Sequence, residues 1–492
     1  MKWSELKVSR RDFVKRTALS GAAAVAVGAG GAALPTSAWS ADPSTSQIMG
    51  RTLNEAVRET RIIREADVVV VGGGPGGIGA ALAAARGGAD TVLIERYGHL
   101  GGMGTGGLVT IIPNMSNEHG KQQISGIVQE WVDRLEARNA CDYPKKEHWG
   151  STDPVLVEYY NHRSFFYAMG RVNYSVHIDA ETSKLILDQM VQEAGIKMYF
   201  HSWGTEPIMD GNTVKGVIFE SKSGRQAVLA KVVIDSTGDG DLLPYTGAEF
   251  EFGYPPGTRS GNLTVAFWIA GVDIVALDAY AKKYPEKLAQ EQKELKELGG
   301  HPHWSFTSNI PNQEDLLWYH PRWGSDDQTD VEELTRVEIA GRERAFITYD
   351  YSKKHWPGFE SSYVVLTSPQ LGTRGSRRLV GEYYLTEKDI RSGAKFEDTI
   401  AVFPGRGVGA EIPYRTLIPR KVNGLLVACR AFSADAIANN AYNCIPHCIP
   451  FGQAAGTAAA MALDSNVDVR KVDIKALQAR LKKQGAILEY RT

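Results

Sequence analysis

Four valines, Val68 to Val71, follow Asp67 and stop abruptly at Gly72-Gly73-Gly74. An unbroken apolar run of this length, with no polar alternation, predicts a strand buried on both faces. Ala80, Ala81 and Ala84 mark the helix that follows, and Val92-Leu93-Ile94 closing on Glu95 gives a second strand. Residues 180–193 place Leu185, Leu187, Met190 and Val191 at helical spacing, and 196–200 reads as a short strand. Residues 203–232 alternate in three pieces, with turns at Asp210-Gly211-Asn212 and Lys222-Ser223-Gly224, which predicts a β-meander. Its last strand runs into Asp235-Ser236-Thr237-Gly238-Asp239-Gly240-Asp241. Beyond 253 the pattern changes to a strand at 263–270, a charged helix at 278–298, an aromatic and histidine-rich loop at 301–323 and a helix at 331–355. Strands return at 364–366, 399–403 and 424–428, before a small-residue helix after Gly452-Gln453-Ala454-Ala455-Gly456. The predicted fold class is α/β: a Rossmann-like domain with a β-meander, plus an inserted α+β cap on the substrate side.

The spacing of Gly72, Gly74 and Gly77 is G-x-G-x-x-G, set between a strand and a helix, with an acid ending the next strand. That order suits a dinucleotide. Gly72 permits the tight turn, Gly74 lets the backbone approach a pyrophosphate, and Gly77 lets the helix pack closely on the sheet. The helix N-terminus attracts the phosphates, and Glu95 is placed to accept a ribose hydroxyl. A glycine-rich turn without a ligand is the plainer alternative, and the ordered strand, helix, strand and acid weigh against it.

Composition changes the picture at the N-terminus. Across 492 residues the net charge is −2, but residues 1–41 hold six bases against two acids, so the rest of the chain stands at −6. An acidic body gives no electrostatic reason to expect nucleic acid. Ser9-Arg10-Arg11-Asp12-Phe13-Val14-Lys15 has the twin-arginine export pattern, with Val14 where leucine is commoner. An Ala/Gly-rich run to Leu34 and small residues at 38–41 complete a signal peptide, giving a periplasmic or secreted protein; an uncleaved anchor is the other reading. That route carries folded proteins, which suits a chain loaded with cofactor before export by the twin-arginine machinery. The expected organisation is a signal peptide at 1–41, a linker at 42–65, a nucleotide-binding domain at 66–252 with an excursion at 112–165, a cap at 253–368, a return at 369–465 and a tail at 466–492. The four cysteines, Cys141, Cys429, Cys444 and Cys448, have no zinc or ferredoxin spacing, so no metal is expected. A Cys444–Cys448 disulfide stays open.

The layout resembles the FAD-dependent oxidoreductases of the glutathione-reductase-like superfamily, in the branch that includes the flavin subunit of heterodisulfide reductase. The resemblance spans 66–465. It is carried by the opening βαβ unit, Gly101-Gly102-Met103-Gly104-Thr105, Thr237-Gly238-Asp239, Leu371-Gly372-Thr373-Arg374-Gly375-Ser376-Arg377-Arg378, Ile412-Pro413-Tyr414-Arg415 and 452–456. It implies FAD held by Gly72, Gly74, Pro75, Gly76, Gly77, Glu95, Arg96, Gly101, Gly102, Met103, Thr105, Thr237, Gly238 and Asp239. Gly452 and Gln453 would open a helix directed at the isoalloxazine, where its positive end favours the reduced ring; close helix packing is the alternative for those glycines. Two positions depart from the pattern: Gly375 stands where glutamate is common, and no arginine lies near Tyr442-Asn443.

Flavin N5 carries out the transfer, leaving the protein to position substrate and move protons. His447, Arg374 and Arg378 are the candidate catalytic residues. Histidine can titrate near neutral pH and arginine suits carboxylate or phosphate, although an ion-pair network explains the arginines equally well. His301, His303, His320 and the tryptophans at 304, 318 and 323 are expected at the substrate entrance or in the core. No second nucleotide site is visible, so electrons pass between a small organic substrate and a quinone, cytochrome or oxygen. The competing readings are a flavin-carrying electron-transfer subunit with no substrate of its own and a flavin-using isomerase.

Overall fold

A computed structural model describes residues 47–49, 51–161, 165–168, 170–303, 315–404 and 409–491. The chain divides into two compact units, Met1–Glu59 and Thr60–Thr492. In the first, Gln47–Met49 pairs antiparallel with Thr52–Asn54. The signal peptide predicted at 1–41 lies outside the described residues, as does Trp304.

The second unit opens with β1 (Arg61–Val71), α1 (Pro75–Arg86) and β2 (Thr91–Ile94). α2 (Ile127–Glu136) belongs to the 112–165 excursion, and α3 (Ala180–Glu193) leads into β3 (Lys197–Tyr199). The meander is β4 (Trp203–Asp210), β5 (Thr213–Ser221) and β6 (Gly224–Asp235). β7 (Leu425–Val427) returns last. These strands form one seven-stranded sheet in the order β3-β2-β1-β6-β5-β4, with β7 also on β6. The start of β6 pairs with β5 and its end with β7, so one long strand joins the antiparallel meander to the parallel core.

The valine run is buried as its pattern requires. Val68 and Val70 pack with α1 and α5 (Ile445–Ser465) on one face, and Val69 and Val71 pack with Val217, Val233 and Leu425 on the other. The strand itself begins at Arg61, before the predicted start, because its polar first half pairs with Gln226 to Ala230.

The inserted region has its own core. Phe267–Ala270 lies between Leu317–Tyr319 and Tyr363–Thr367, with Leu277, Leu295 and Phe359 against it. α4 (Val331–His355) covers this layer, started by the Asp330 carboxylate accepting from Glu332 N. Two predicted elements are divided. The strand at 263–270 is two short strands, Asn262–Thr264 and Phe267–Ala270, in different sheets. The charged helix is Ile274–Lys283 and Pro285–Glu297, because Tyr284 leaves the helical region (φ −131°, ψ 55°) before a proline that has no N–H to donate.

Candidate functional site

The carboxyl ends of β1, β2, β6 and β7 open into a cleft, where open α/β sheets bind ligands. Gly72 (φ +99°) makes the turn, and a Cβ there would lie 2.4 Å from the Ser236 carbonyl oxygen. A Cβ on Gly77 would lie 1.7 Å from the Gly72 oxygen, so this glycine serves packing and does not line the cleft. Gly74 differs: a Cβ built on it meets nothing within 4 Å, and it faces the cleft with Pro75 and Gly76. The first turn of α1 carries no acidic residue and no side-chain cap. Its amides and positive end are therefore left to an anion.

Glu95 is buried at the end of β2, its Oε2 accepting from Gly73 N (2.5 Å) and its Oε1 from Tyr97 N (2.7 Å). Burial lifts its carboxyl above the ordinary value, and those amide bonds offset only part of the rise. Arg96 lies over Trp203, 4.9 Å from the ring centroid, and both line the cleft.

The second glycine cluster splits in function. Gly102 and Met103 reach the cleft, whereas Gly101 (φ +90°) donates to the Gly73 oxygen at 2.9 Å and braces the first loop. Thr105 is fully buried with its hydroxyl donating to the Leu100 oxygen, so it cannot meet a ligand as expected.

In the turn after β6, Thr237 and Gly238 line the cleft, and so does Asp241. Asp239, the acid singled out from the motif, instead turns into a buried network. It accepts from Ser376 (2.8 Å), Thr373 (3.0 Å) and Arg430 (2.7 Å). Burial, reinforced by Asp239 and Asp235, raises Asp241's carboxyl to about 6.

Gly452 and Gln453 do not open the flavin-directed helix. α5 begins at Ile445, and Gly452 sits mid-helix, where a Cβ would lie 1.9 Å from the Gly76 oxygen. Gln453 accepts from Ile127 N at 3.1 Å, away from both hollows. The close-packing alternative holds for this motif, and the helix start that reaches the cleft is Ile445.

A second cavity of about 490 Å3 adjoins the cleft, and Met103, Arg430, Asn443 and Ile445 line both. His301, His303, Trp318 and His320 line it, while Trp323 lies beneath Arg344 in a small core cluster. Arg374 faces the cavity and donates to His320 Nε2 at 2.8 Å. Arg378 does not reach it. Strand register sets Arg378 opposite Glu251, to which it donates at 2.9 Å, and its guanidinium covers Tyr254. That is a structural ion pair.

His447 lines the cavity, but its Nδ1 accepts from Cys444 N at 3.2 Å, which leaves Nε2 as the protonated nitrogen of the neutral ring. Burial, with Arg259 nearby, pushes its imidazole down to about 3, so it does not titrate near neutrality. Cys444 and Cys448 are both free thiols, and burial pushes Cys448 up to about 12, against a redox role.

The two departures noted in the sequence have physical counterparts. A Cβ at Gly375 would fall 2.3 Å from the Tyr254 hydroxyl, leaving no room for glutamate. Beside Asn443 the guanidinium comes from Arg259, which donates to the Asn443 Oδ1 and the Asn440 oxygen. Arg430, Asp241, Arg259 and Arg322 also line the two hollows, and no motif in the sequence singles them out. Arg430 was open to detection, because it stands just past the carboxyl end of the last sheet strand.

Over 92 residues the chain is 39% identical to digoxin reductase of Eggerthella lenta, a match spanning 19% of this chain and only 16% of that protein. A geranylgeranyl bacteriochlorophyll reductase-like protein of Thermoplasma acidophilum is 15% identical at a TM-score of 0.40, covering 86% of this chain and 84% of its own. The p-nitrophenol 4-monooxygenase of Pseudomonas putida is 12% identical at 0.42, with 86% and 88% covered. The profile of FAD dependent oxidoreductases matches residues 67–406 and 407–481, nearly the whole second unit. With a G-x-G-x-x-G turn, an uncapped helix start and a buried acid around one cleft, the chain belongs to the FAD-dependent oxidoreductase family.

Proposed function

We propose that this enzyme oxidises or reduces a small organic molecule held in the 490 Å3 cavity, with FAD bound along the adjoining cleft. The observation that carries this is the seam between the two hollows at Met103, Arg430, Asn443 and Ile445. A cofactor lying in the cleft would meet a substrate at that seam. FAD supplies hydride transfer at N5. Gly74, Gly76 and the α1 N-terminus would hold the pyrophosphate, Glu95 a ribose, and Asp241 a hydroxyl of the chain between phosphate and ring. The Ile445 end of α5 directs its positive pole at the seam, where negative charge on a reduced ring is favoured. His301 and His320 stay neutral: burial pushes His301 down to about 4 and holds His320 well below its ordinary value. We infer export of the folded, loaded enzyme from Arg10 and Arg11 in their twin-arginine setting, with a quinone, cytochrome or oxygen taking the electrons.

The visible spectrum of the purified protein tests the reading. A flavin band bleached by a substrate supports it, and no band even after reconstitution with FAD would overturn it. Gly74 gives a finer test. Its backbone (φ −72°, ψ −173°) suits any residue and a Cβ there meets nothing, so Gly74→Ala should leave the unfolding temperature of flavin-free protein unchanged. FAD affinity should still fall at least tenfold, because the methyl group takes the space a phosphate needs. Gly72→Ala should lose both properties, since it combines a left-handed backbone costing about 1–3 kcal/mol with a clash against Ser236. Equal FAD affinity in Gly74→Ala and the parent protein would show that the phosphate does not lie there.

A further inference from the structure

The second cavity is lined by Arg259, Arg322, Arg374 and Arg430, and by no aspartate or glutamate among the described residues. Arg430 has its counter-charge in Asp239. The other three have no carboxylate partner among the described residues. Arg259 directs its Nη2 at the Asn440 oxygen and the Asn443 side chain, both uncharged. Among the described residues the Arg374 guanidinium is hydrogen-bonded to His320, a neutral ring, and its Nε is shut off from solvent without a hydrogen-bond partner. Arg322 is exposed at the edge. A guanidinium held away from water without an anion is unfavourable, and neighbouring cations make it more so. The same arrangement becomes favourable once an oxyanion arrives, because the planar guanidinium binds one through two parallel hydrogen bonds. Neutral polar groups share the lining with an apolar wall that includes Val109, Ile111, Trp318 and Ile445. Its volume is within the range of sites for small organic ligands.

We propose that the cavity takes an organic carboxylate, its apolar body against Trp318 and Ile445 and its carboxylate held by Arg374 with Arg259 and Arg322. This rests on reading the cavity as the substrate site. Arg374 is then a substrate-positioning residue. Burial and the adjacent Arg259 and Arg322 push its guanidinium down to about 9, the response of a cation that lacks its partner.

Flavin-loaded enzyme titrated with benzoate, benzamide and phenyl phosphate tests this, with binding followed by calorimetry and by the flavin absorption band. Benzoate should bind and shift the band, and neutral benzamide should bind at least tenfold more weakly. Arg374→Met should weaken benzoate at least tenfold and raise the unfolding temperature, because an uncompensated charge has gone; Arg374→Lys should recover part of the affinity. Benzamide binding as well as benzoate, benzoate binding unchanged in Arg374→Met, or a preference for phenyl phosphate would each overturn the carboxylate assignment while leaving the cavity as the substrate site. Arg374-dependent benzoate binding with no shift of the flavin band would keep the anion site and overturn the function proposed above.

Discussion

Arg430→Met is expected to unfold about 3–5 kcal/mol more easily than the parent protein, the range for removing one member of a buried ion pair. The pair is Arg430 Nη2 to Asp239 Oδ2 at 2.7 Å, with side chains 13% and 8% exposed. Without the guanidinium, the Asp239 carboxylate keeps the Ser376 and Thr373 hydroxyls as its side-chain donors among the described residues. Asp239→Asn should do comparable harm by stranding Arg430. The double variant should lose clearly less than the two single losses combined, since neither charge is then left alone. The pH dependence is more specific. Burial alone would raise Asp239, but the charge and hydrogen bond of Arg430, with the Ser376 hydroxyl and the charge of Arg96, outweigh it and hold the carboxyl below its ordinary value. Its stabilisation is therefore complete above about pH 4 and is lost only as pH falls through the folded value. In Arg430→Met burial prevails, the carboxyl rises, and the folded state takes up a proton before the unfolded chain does. That variant should therefore recover part of its deficit as pH drops from 7.5 to 5. Urea unfolding at the two pH values measures this, and an equal deficit at both would mean that Asp239 does not depend on Arg430. Flavin content should fall too, because Arg430 lines the seam between cleft and cavity.

How far the sequence announced this site depended on the kind of signal. The valine run, the Gly72 turn and Glu95 are local: each residue's role follows from its own backbone and its immediate neighbours, so their pattern is readable. The helices at 180–193 and 331–355 are equally local, each opened by an aspartate cap, Asp179 and Asp330. The network around Asp239 is not local. Its donors come from residues 373, 376 and 430, far apart in the chain and joined only by folding. The motif singles out Asp239 for the ligand, yet Arg430, Ser376 and Thr373 hold that acid inward and Asp241, two residues on, lines the cleft. The same holds for the cationic cavity. Arg259, Arg322 and Arg374 lie in separate segments with no shared motif, and their common environment appears only when the cap is laid against the sheet. Arg378 shows the converse: it is close to Arg374 in sequence, but it lies in the Arg377–Leu379 strand, whose register sets it opposite Glu251, whereas Arg374 lies outside that strand.

Gly452→Val should yield no soluble folded protein, and Gly452→Ala should be severely destabilised and free of flavin. The reason is a backbone-on-backbone crossing of α1 and α5. A Cβ on Gly452 would fall 1.9 Å from the Gly76 oxygen and 2.7 Å from Ala80 N, and one on Gly456 would fall 2.1 Å from the Ala80 oxygen. The reciprocal approach is equally close, with a Cβ on Gly79 only 2.4 Å from the Ile449 oxygen. No flexible side chain lies at any of these contacts, so the helices must separate along their length. Overpacking of ordinary cores costs about 1–3 kcal/mol, and a crossing that cannot yield should exceed that. The functional consequence follows from where α1 is anchored. Its N-terminus presents Gly74 and Gly76 to the cleft, and a Cβ on Gly76 would already fall 2.0 Å from the Ala428 oxygen behind it. A shift of α1 away from α5 therefore displaces the phosphate cradle against β7, and flavin binding fails with the fold. Gly324→Ala is the matched control: its backbone is not left-handed and a Cβ there meets nothing within 4 Å, so soluble yield and flavin content should match the parent. A Gly452→Ala protein that keeps its flavin and unfolds with the parent's midpoint would mean that the two helices are not locked at this crossing.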